Sequence, residues 1–88
     1  MSASHPIVPE PGHLTVYLTS WCPYCSMLVT DLTGEVPFTS IDVDEDRDAA
    51  EAVKRINGGN RTVPTVVFPD GTTATNPSFD TVLLRLAR

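Results

Sequence analysis

The stretch Trp21-Cys22-Pro23-Tyr24-Cys25 holds the only two cysteines of this 88-residue chain. It follows an apolar, strand-like run at residues 14–18 and precedes a helical pattern. A thiol in the first turn of a helix meets unpaired backbone N–H groups and the positive end of the helix dipole, and both favour a thiolate. A second cysteine one turn later can reach the first. The sequence therefore predicts thiol–disulfide exchange at Cys22 and Cys25.

Two other uses of a Cys-x-x-Cys pair compete with this interpretation. The pair could be half of a tetrahedral zinc site, whose missing ligands would have to be His5 and His13, the only histidines. It could also be a structural disulfide, but closing so short a loop adds little stability. A Cys-x-x-Cys between a strand and a helix, in a chain without a recognisable export signal, favours the redox interpretation.

Composition narrows the class of protein. A net charge of −5 argues against nucleic acid as a partner, because phosphate binding depends on clustered Lys and Arg. No apolar run approaches the roughly 18 residues that span a membrane, so we expect no membrane contact and a cytoplasmic location. Six of the eleven acidic residues lie between positions 42 and 51, where we expect them to cap and solvate a helix start rather than to bind metal.

The chain is expected to form one domain with a short extension. Residues 1–12 contain three prolines and no apolar periodicity, which predicts a flexible N-terminal tail. Residues 13–88 are then the folded domain. With 41% apolar residues, a domain of this size can bury a compact core.

Three segments share the helical spacing i, i+3, i+4, i+7, and we expect their apolar stripes to be core: Cys25, Leu28, Val29 and Leu32; Ala49, Ala52, Val53 and Ile56; and Phe79, Val82, Leu83 and Leu86. The third helix is expected to begin through Asn76 and Pro77. Strand candidates lie at residues 14–19, 38–43, 65–68 and 72–75. The order β-α-β-α-β-β-α predicts an α/β fold, a four-stranded mixed sheet flanked by three helices. Its first two strands are parallel, and its last two form a hairpin.

A second candidate site element, Thr62-Val63-Pro64, comes directly before the third strand. Proline cannot donate to a ladder and belongs at the start or the edge of a strand. Most X–Pro bonds are trans, and the residues alone leave the isomer open. A cis bond would turn the N–H and C=O of Val63 outward, free to pair with an incoming peptide or thiol.

Together, Cys22-Pro23-Tyr24-Cys25, Thr62-Val63-Pro64 and the order of elements resemble the glutaredoxin family, from about residue 14 to residue 88. Within that family the chain looks most like the mycoredoxins, which use mycothiol instead of glutathione. The closer part of the likeness is carried by NGGNRTVPT at residues 57–65, DGT at 70–72 and TNP at 75–77. The resemblance implies a thioredoxin-like fold and a cis bond before Pro64.

The resemblance also implies a mechanism. Cys22, at the edge of the helix, would be the exposed nucleophile, and Cys25, within the apolar stripe, the covered resolving thiol. Mycothiol would be a co-substrate rather than a bound prosthetic group. The partners would be mycothiolated proteins and the reductase system of mycothiol, and the chain would act as a monomer.

One departure from the family pattern bears on which small-molecule thiol the chain would use. Glutaredoxins usually carry Gly-Gly-x-Asp-Asp before the last helix, but here residues 71–76 read GTTATN, with hydroxyls and an amide and no acid pair. Such a surface suits an uncharged, sugar-like ligand. The candidate cofactor-binding residues are Trp21, Pro23, Tyr24, Arg61, Thr62, Val63, Pro64, Thr75 and Asn76. Ordinary packing for Trp21 and Tyr24, solvation for Arg61, and a simple polar turn for Thr75 and Asn76 are the competing interpretations.

Other functions remain open at this stage. A general dithiol, glutaredoxin- or thioredoxin-like electron donor, for example to ribonucleotide reductase, would use the same two cysteines. An iron–sulfur carrier would bridge a cluster between two chains, although a proline after Cys22 argues against it. A zinc-binding interaction module is the third alternative.

Overall fold

A computed structural model describes residues 4–87 of the chain. Its seven elements, in order, are β1 (Leu14–Leu18), α1 (Pro23–Leu32), β2 (Phe38–Asp42), α2 (Arg47–Ile56), β3 (Thr65–Val67), β4 (Thr73–Thr75) and α3 (Phe79–Leu86). The order β-α-β-α-β-β-α predicted from the sequence is confirmed.

The four strands form one mixed sheet in the order β2-β1-β3-β4. β1 and β2 run parallel, joined through α1, as a crossover connection requires. β3 runs antiparallel to β1, with Val66 opposite Val16, and β4 completes a hairpin with β3. The fold is therefore α/β, with the predicted parallel pair and the predicted hairpin both present.

The central strand β1 is covered on both faces. Its alternate residues Leu14 and Val16 join one core cluster with α1 and α3, built from Leu28, Leu32, Val36, Val66, Phe68 and Val82. Tyr17 points the other way, into a second cluster with α2, built from Val43, Ala49, Ala50, Val53 and Val67. Two helices thus lie on one face of the sheet and one on the other, which fixes the ends of β1 and β3 within a rigid frame.

Polar side chains begin the second and third helices. The Asp46 carboxylate accepts the backbone N–H of Ala49 at 3.0 Å, and this hydrogen bond lowers the pKa of Asp46. The acidic run therefore includes a helix cap, as expected. α3 begins later than predicted, because its cap is Ser78, whose hydroxyl accepts the N–H of Thr81, rather than Asn76 and Pro77. Leu83 was wrongly predicted as core: α3 is a single eight-residue helix packed through Val82, and Leu83 at its margin is 40% exposed.

Residues of the predicted tail contact the domain. The ring of His5 lies between the hydroxyl of Tyr17, at 2.9 Å, and the carboxylate of Asp46, at 3.2 Å. The Tyr17 hydroxyl also accepts the N–H of Ile7 at 2.8 Å, and Arg55 donates to the carbonyl of His5. Residues 1–3 of the tail, and Arg88 of the domain, lie outside the described residues, and the boundary at residue 12 stays a prediction.

None of the helices within residues 4–87 has both the length and the apolar character needed to cross a membrane.

We expect Tyr17→Phe to lower the free energy of unfolding by roughly 1–3 kcal/mol, because the ring still packs while the Ile7 N–H and the His5 ring lose their shared partner. Urea denaturation measures the loss, and faster hydrogen exchange of the Ile7 amide locates it. Tyr24→Phe, at an exposed tyrosine, is the matched control. Equal urea midpoints for all three proteins would show that residues 5–7 contribute nothing to stability.

Candidate active site

Cys22 is the N-cap residue of α1, the position where side chains accept hydrogen bonds from the first turn. Its Sγ accepts the backbone N–H of Cys25 at 3.4 Å, and Pro23 occupies the first turn, where a missing N–H is tolerated. The first turn of α1 contains no acidic residue, unlike α2 and α3. A sulfur anion at this position would therefore face helix N–H groups without a neighbouring carboxylate in the same turn.

Cys25 lies one turn further into α1 and is 1% exposed. Burial raises the pKa of the Cys25 thiol to about 12, and the neighbouring Cys22 sulfur acts in the same direction, while a backbone hydrogen bond from Thr19 opposes them. Both cysteines are free thiols. Cys25 is thus kept protonated at neutral pH.

The Val63–Pro64 bond is cis, as the family resemblance predicted. The sequence predicted that the carbonyl of Val63 would be a free acceptor. Instead it lies 3.8 Å from Sγ of Cys22 and accepts its S–H. Pro64 is fully buried at the start of β3 and its carbonyl accepts the N–H of Asn76 at 2.7 Å. The Thr62 carbonyl accepts a hydrogen bond from the Thr65 hydroxyl at 2.8 Å, which links the residues before and after Pro64.

Cys22 is less open than the sequence suggested, being 5% exposed. The expectation rested on helix position alone, which does not include the loop that packs Val63 against the sulfur. Trp21, directly before Cys22, and Tyr24, two residues after it, are much more exposed, at 71% and 60%. Cys22 is therefore a buried residue with two exposed aromatic residues close to it in the chain.

Trp21 and Arg61 meet at Asp44, a residue that the sequence analysis did not single out. The indole N–H of Trp21 donates to Oδ2 of Asp44 at 2.9 Å, and Nη2 of Arg61 donates to Oδ1 at 2.9 Å. Arg61 also donates to the carbonyl of Val43 at 3.2 Å. The predicted cofactor-binding role of Arg61 stays a prediction, but its guanidinium is directed at Asp44.

Tyr24 and Asn76 line a shared groove of about 320 Å³, which is also lined by Met27, Leu28, Asp31, Pro77, Ser78 and Phe79. Asn76 has a positive φ of 48°, a conformation that Asn tolerates better than most residues. A larger concavity of about 540 Å³ lies at residues 33–38, beyond the far end of α1, and contains none of the predicted site residues.

Asn57 connects the elements behind the cis-proline loop, and the sequence analysis included it only in the stretch that carries the family resemblance. Its side-chain N–H groups donate to the carbonyl of Val53 at 3.1 Å and to the hydroxyl of Thr65 at 3.0 Å. Its side-chain oxygen accepts the hydroxyl of Thr75. The Thr75 hydroxyl predicted to face a cofactor therefore has an internal partner, and Asn57 ties α2, β3 and β4 together.

The two histidines that a zinc site would need are held elsewhere. His5 contacts Tyr17 and Asp46, and His13 contacts Glu10 and the carbonyl of Pro11. Across residues 4–87 no group of three or more His, Cys, Asp or Glu side chains is arranged to hold a metal ion. The structure therefore gives no support to the zinc alternative with His5 and His13 as ligands.

We expect iodoacetamide at pH 8 to modify Cys22 and to leave Cys25 unmodified, because only roughly one Cys25 in 10⁴ is then a thiolate. In Cys22→Ser, the rate at Cys25 should rise by about tenfold per pH unit from pH 8 to 10 while circular dichroism shows a folded chain. Free cysteine levels off above pH 9 and serves as the reference. A Cys25 rate that also levels off there would contradict the effect of burial.

We expect Asn57→Ala to lower the free energy of unfolding by roughly 1–3 kcal/mol, because the buried Thr65 and the Thr75 hydroxyl each lose a hydrogen-bond partner. Urea denaturation gives the loss. Asn60→Ala is the matched control, since Asn60 is exposed and makes one long hydrogen bond of 3.4 Å to the Asn57 carbonyl. Similar losses for the two variants would remove Asn57 from its connecting role.

Comparison with known proteins agrees with this geometry. The family model described as Glutaredoxin matches residues 14–72. A provisionally named glutaredoxin of Mycobacterium tuberculosis (strain H37Rv) is 53% identical over 76 residues, covering 85% of this chain and 90% of the relative. Mycoredoxin 1 of Corynebacterium glutamicum is 49% identical over 75 residues, covering 85% and 94%.

Solved structures give the same fold. The thioredoxin-like protein BC3987 matches with a TM-score of 0.65 at 27% identity, covering 83% of this chain and 97% of that protein. Wheat glutaredoxin matches with a TM-score of 0.56 at 27% identity, covering 89% and 73%. The paired cysteines at the start of α1, the cis-proline loop beside them and these relatives lead to one conclusion: this chain belongs to the glutaredoxin family and is a thiol–disulfide oxidoreductase similar to the mycoredoxins.

Proposed function

We propose that this enzyme reduces mixed disulfides between mycothiol and protein cysteines, with Cys22 as the nucleophile and Cys25 as the resolving thiol. The observation that carries the proposal is the difference between the two sulfurs. Both sulfurs are buried, but Cys22 caps the start of α1, directly after the exposed Trp21, whereas Cys25 lies one turn further in and burial raises its pKa. One thiol is thus placed to exchange first and the other to follow.

The proposed cycle conserves atoms and electrons. The Cys22 thiolate attacks the mycothiol sulfur of the protein mixed disulfide, a new S–S bond forms, and the client cysteine leaves as a thiolate. A second mycothiol thiolate then attacks the mycothiol sulfur of the adduct, forms mycothiol disulfide and returns the electron pair to Cys22. Alternatively, Cys25 loses its proton and attacks Cys22, which expels mycothiol and leaves a Cys22–Cys25 disulfide.

Several features support mycothiol as the thiol. Mycothiol is a cysteine derivative on an amino sugar and inositol, and the exposed rings of Trp21 and Tyr24 offer flat apolar faces for sugar rings. The segment before α3 carries hydroxyls and an amide where glutaredoxins usually carry an acid pair. The relative at 49% identity is named mycoredoxin 1. In this proposal Pro23, Thr62, Val63 and Pro64 shape the backbone around the sulfur, and Thr75 and Asn76 border the groove.

The partners follow from the cycle. Mycothiolated proteins supply the substrate, and a reductase for mycothiol disulfide completes the cycle. We place the enzyme, as a monomer, in the cytoplasm, where small thiols keep protein cysteines reduced.

We expect Cys22→Ser to abolish reduction of a mycothiolated model peptide, because no other thiol is placed to attack first. Cys25→Ser should retain a substantial part of the activity, since a second mycothiol can resolve the adduct. Both are measured by release of the peptide thiol, with mycothiol and its reductase supplied, and in parallel with glutathione and its reductase.

The pattern of loss separates the two routes. Equal loss in the two variants would favour the dithiol cycle of a general electron donor, such as one serving ribonucleotide reductase. Equal rates with mycothiol and glutathione would overturn the preference for mycothiol while leaving the oxidoreductase activity in place.

A further inference from the structure

Asp44 joins two side chains that border Cys22 from different parts of the chain. Trp21 directly precedes Cys22, and Arg61 lies two residues before Val63, whose carbonyl contacts the Cys22 sulfur. Each donates to a separate oxygen of the Asp44 carboxylate at 2.9 Å. The backbone of Asp44 is held in turn, because its N–H donates to the carboxylate of Asp42 at 2.8 Å. One side of the Cys22 surface is therefore assembled on a single carboxylate.

The hydrogen bond to Asp44 matters for Trp21 because little else holds the ring. The side chain is 71% exposed, so packing restricts it only weakly, and its N–H is its single polar group. Anchoring that N–H fixes the direction in which the flat ring faces. Without the anchor the ring would sample other rotamers beside Cys22.

The ion pair with Asp44 matters for Arg61 because it cancels the charge. A free guanidinium beside Val63 would attract a carboxylate on an incoming thiol, since planar guanidinium and carboxylate groups pair through two hydrogen bonds. In this chain that position is already filled by Asp44, and the pair carries no net charge. An incoming carboxylate would have to displace Asp44 and leave it unpaired.

We propose that Asp44 is a specificity-determining residue: it holds Trp21 beside Cys22 and occupies Arg61, so that thiols without a carboxylate are favoured over thiols that carry one. The inference rests on the proposed function, because it concerns the small thiol that Cys22 exchanges with. Asp44 acts through Trp21 and Arg61 and is a positioning residue.

The test uses two thiols that differ at one group, N-acetylcysteine and its amide; only the acid carries a carboxylate at pH 7. Cys22 is converted to the mixed disulfide with each thiol in a Cys25→Ser background. The free thiolate then attacks the small-thiol sulfur, forms the symmetrical disulfide and leaves the electron pair on Cys22. Acid quenching and intact-mass measurement give the rate constant for each thiol, and the ratio of acid to amide is compared between proteins.

We expect Asp44→Asn to raise the acid-to-amide ratio by about three- to fivefold at low ionic strength, because Arg61 becomes available to the carboxylate. The gain should shrink in high salt and disappear when Arg61→Gln is added. The matched control is Glu45→Gln, which removes one negative charge from the next residue. Within the described chain the Glu45 carboxylate bonds to neither Trp21 nor Arg61, so the ratio should stay unchanged.

A second readout does not depend on activity. Trp21 is the only tryptophan, so fluorescence anisotropy reports the motion of this ring alone. Asp44→Ala should lower the anisotropy, and Asp44→Asn, which keeps an acceptor oxygen, should lower it less. Glu45→Gln should match the parent.

The outcomes separate the two proposals. If neither thiol removes the adduct from the parent protein, the proposed function is overturned. If both remove it but Asp44→Asn leaves the ratio unchanged, or if Glu45→Gln changes it equally, the specificity role of Asp44 is overturned alone. Unchanged anisotropy in Asp44→Ala would overturn its hold on Trp21.

Discussion

The antiparallel pairing of β1 with β3 is the constraint on which the site depends. Tyr17 lies opposite Thr65, so the chain leaving β1 and the chain entering β3 meet at the same edge of the sheet. Cys22 comes from the first of these and Val63 from the second, 41 residues apart in sequence. The cover of β1 on both faces keeps the pairing in register, because a slip by one residue would exchange the environments of Val16 and Tyr17.

The site combines local and long-range contacts. Locally, the start of α1 lets the Cys22 sulfur accept a helix N–H and buries Cys25 one turn later. The long-range contacts are the hydrogen bonds of Asn57 behind the cis-proline loop and those of Asp44 with Trp21 and Arg61. We propose that the start of α1 makes the Cys22 sulfur reactive, and that the contacts of Asn57 and Asp44 provide the shape and charge that select the thiol.

The predicted site residues fall into two groups with separate contacts. Trp21 and Arg61 share Asp44, while Tyr24 and Asn76 line a groove. In our proposed function, both groups border the small thiol that Cys22 exchanges with.

The sequence by itself determined the local features. Apolar spacing indicated the three helices, β-branched runs indicated the strands, and the two cysteines marked the candidate redox pair, because these patterns depend only on neighbours within one or two turns. It erred at the exposure of Leu83 and the cover over Cys22, which depend on packing against the rest of the fold. It also misplaced the cap of α3, which is Ser78, although the partner of Ser78 is only three residues away. The roles of Asp44 and Asn57 were decided only by the tertiary structure. Asp44 binds Arg61 and Trp21, which are 17 and 23 residues away. Asn57 binds Thr65 and Thr75, which are 8 and 18 residues away, besides Val53 only four residues before it. The sequence around Asp44 or Asn57 does not show which distant group the fold will bring to it.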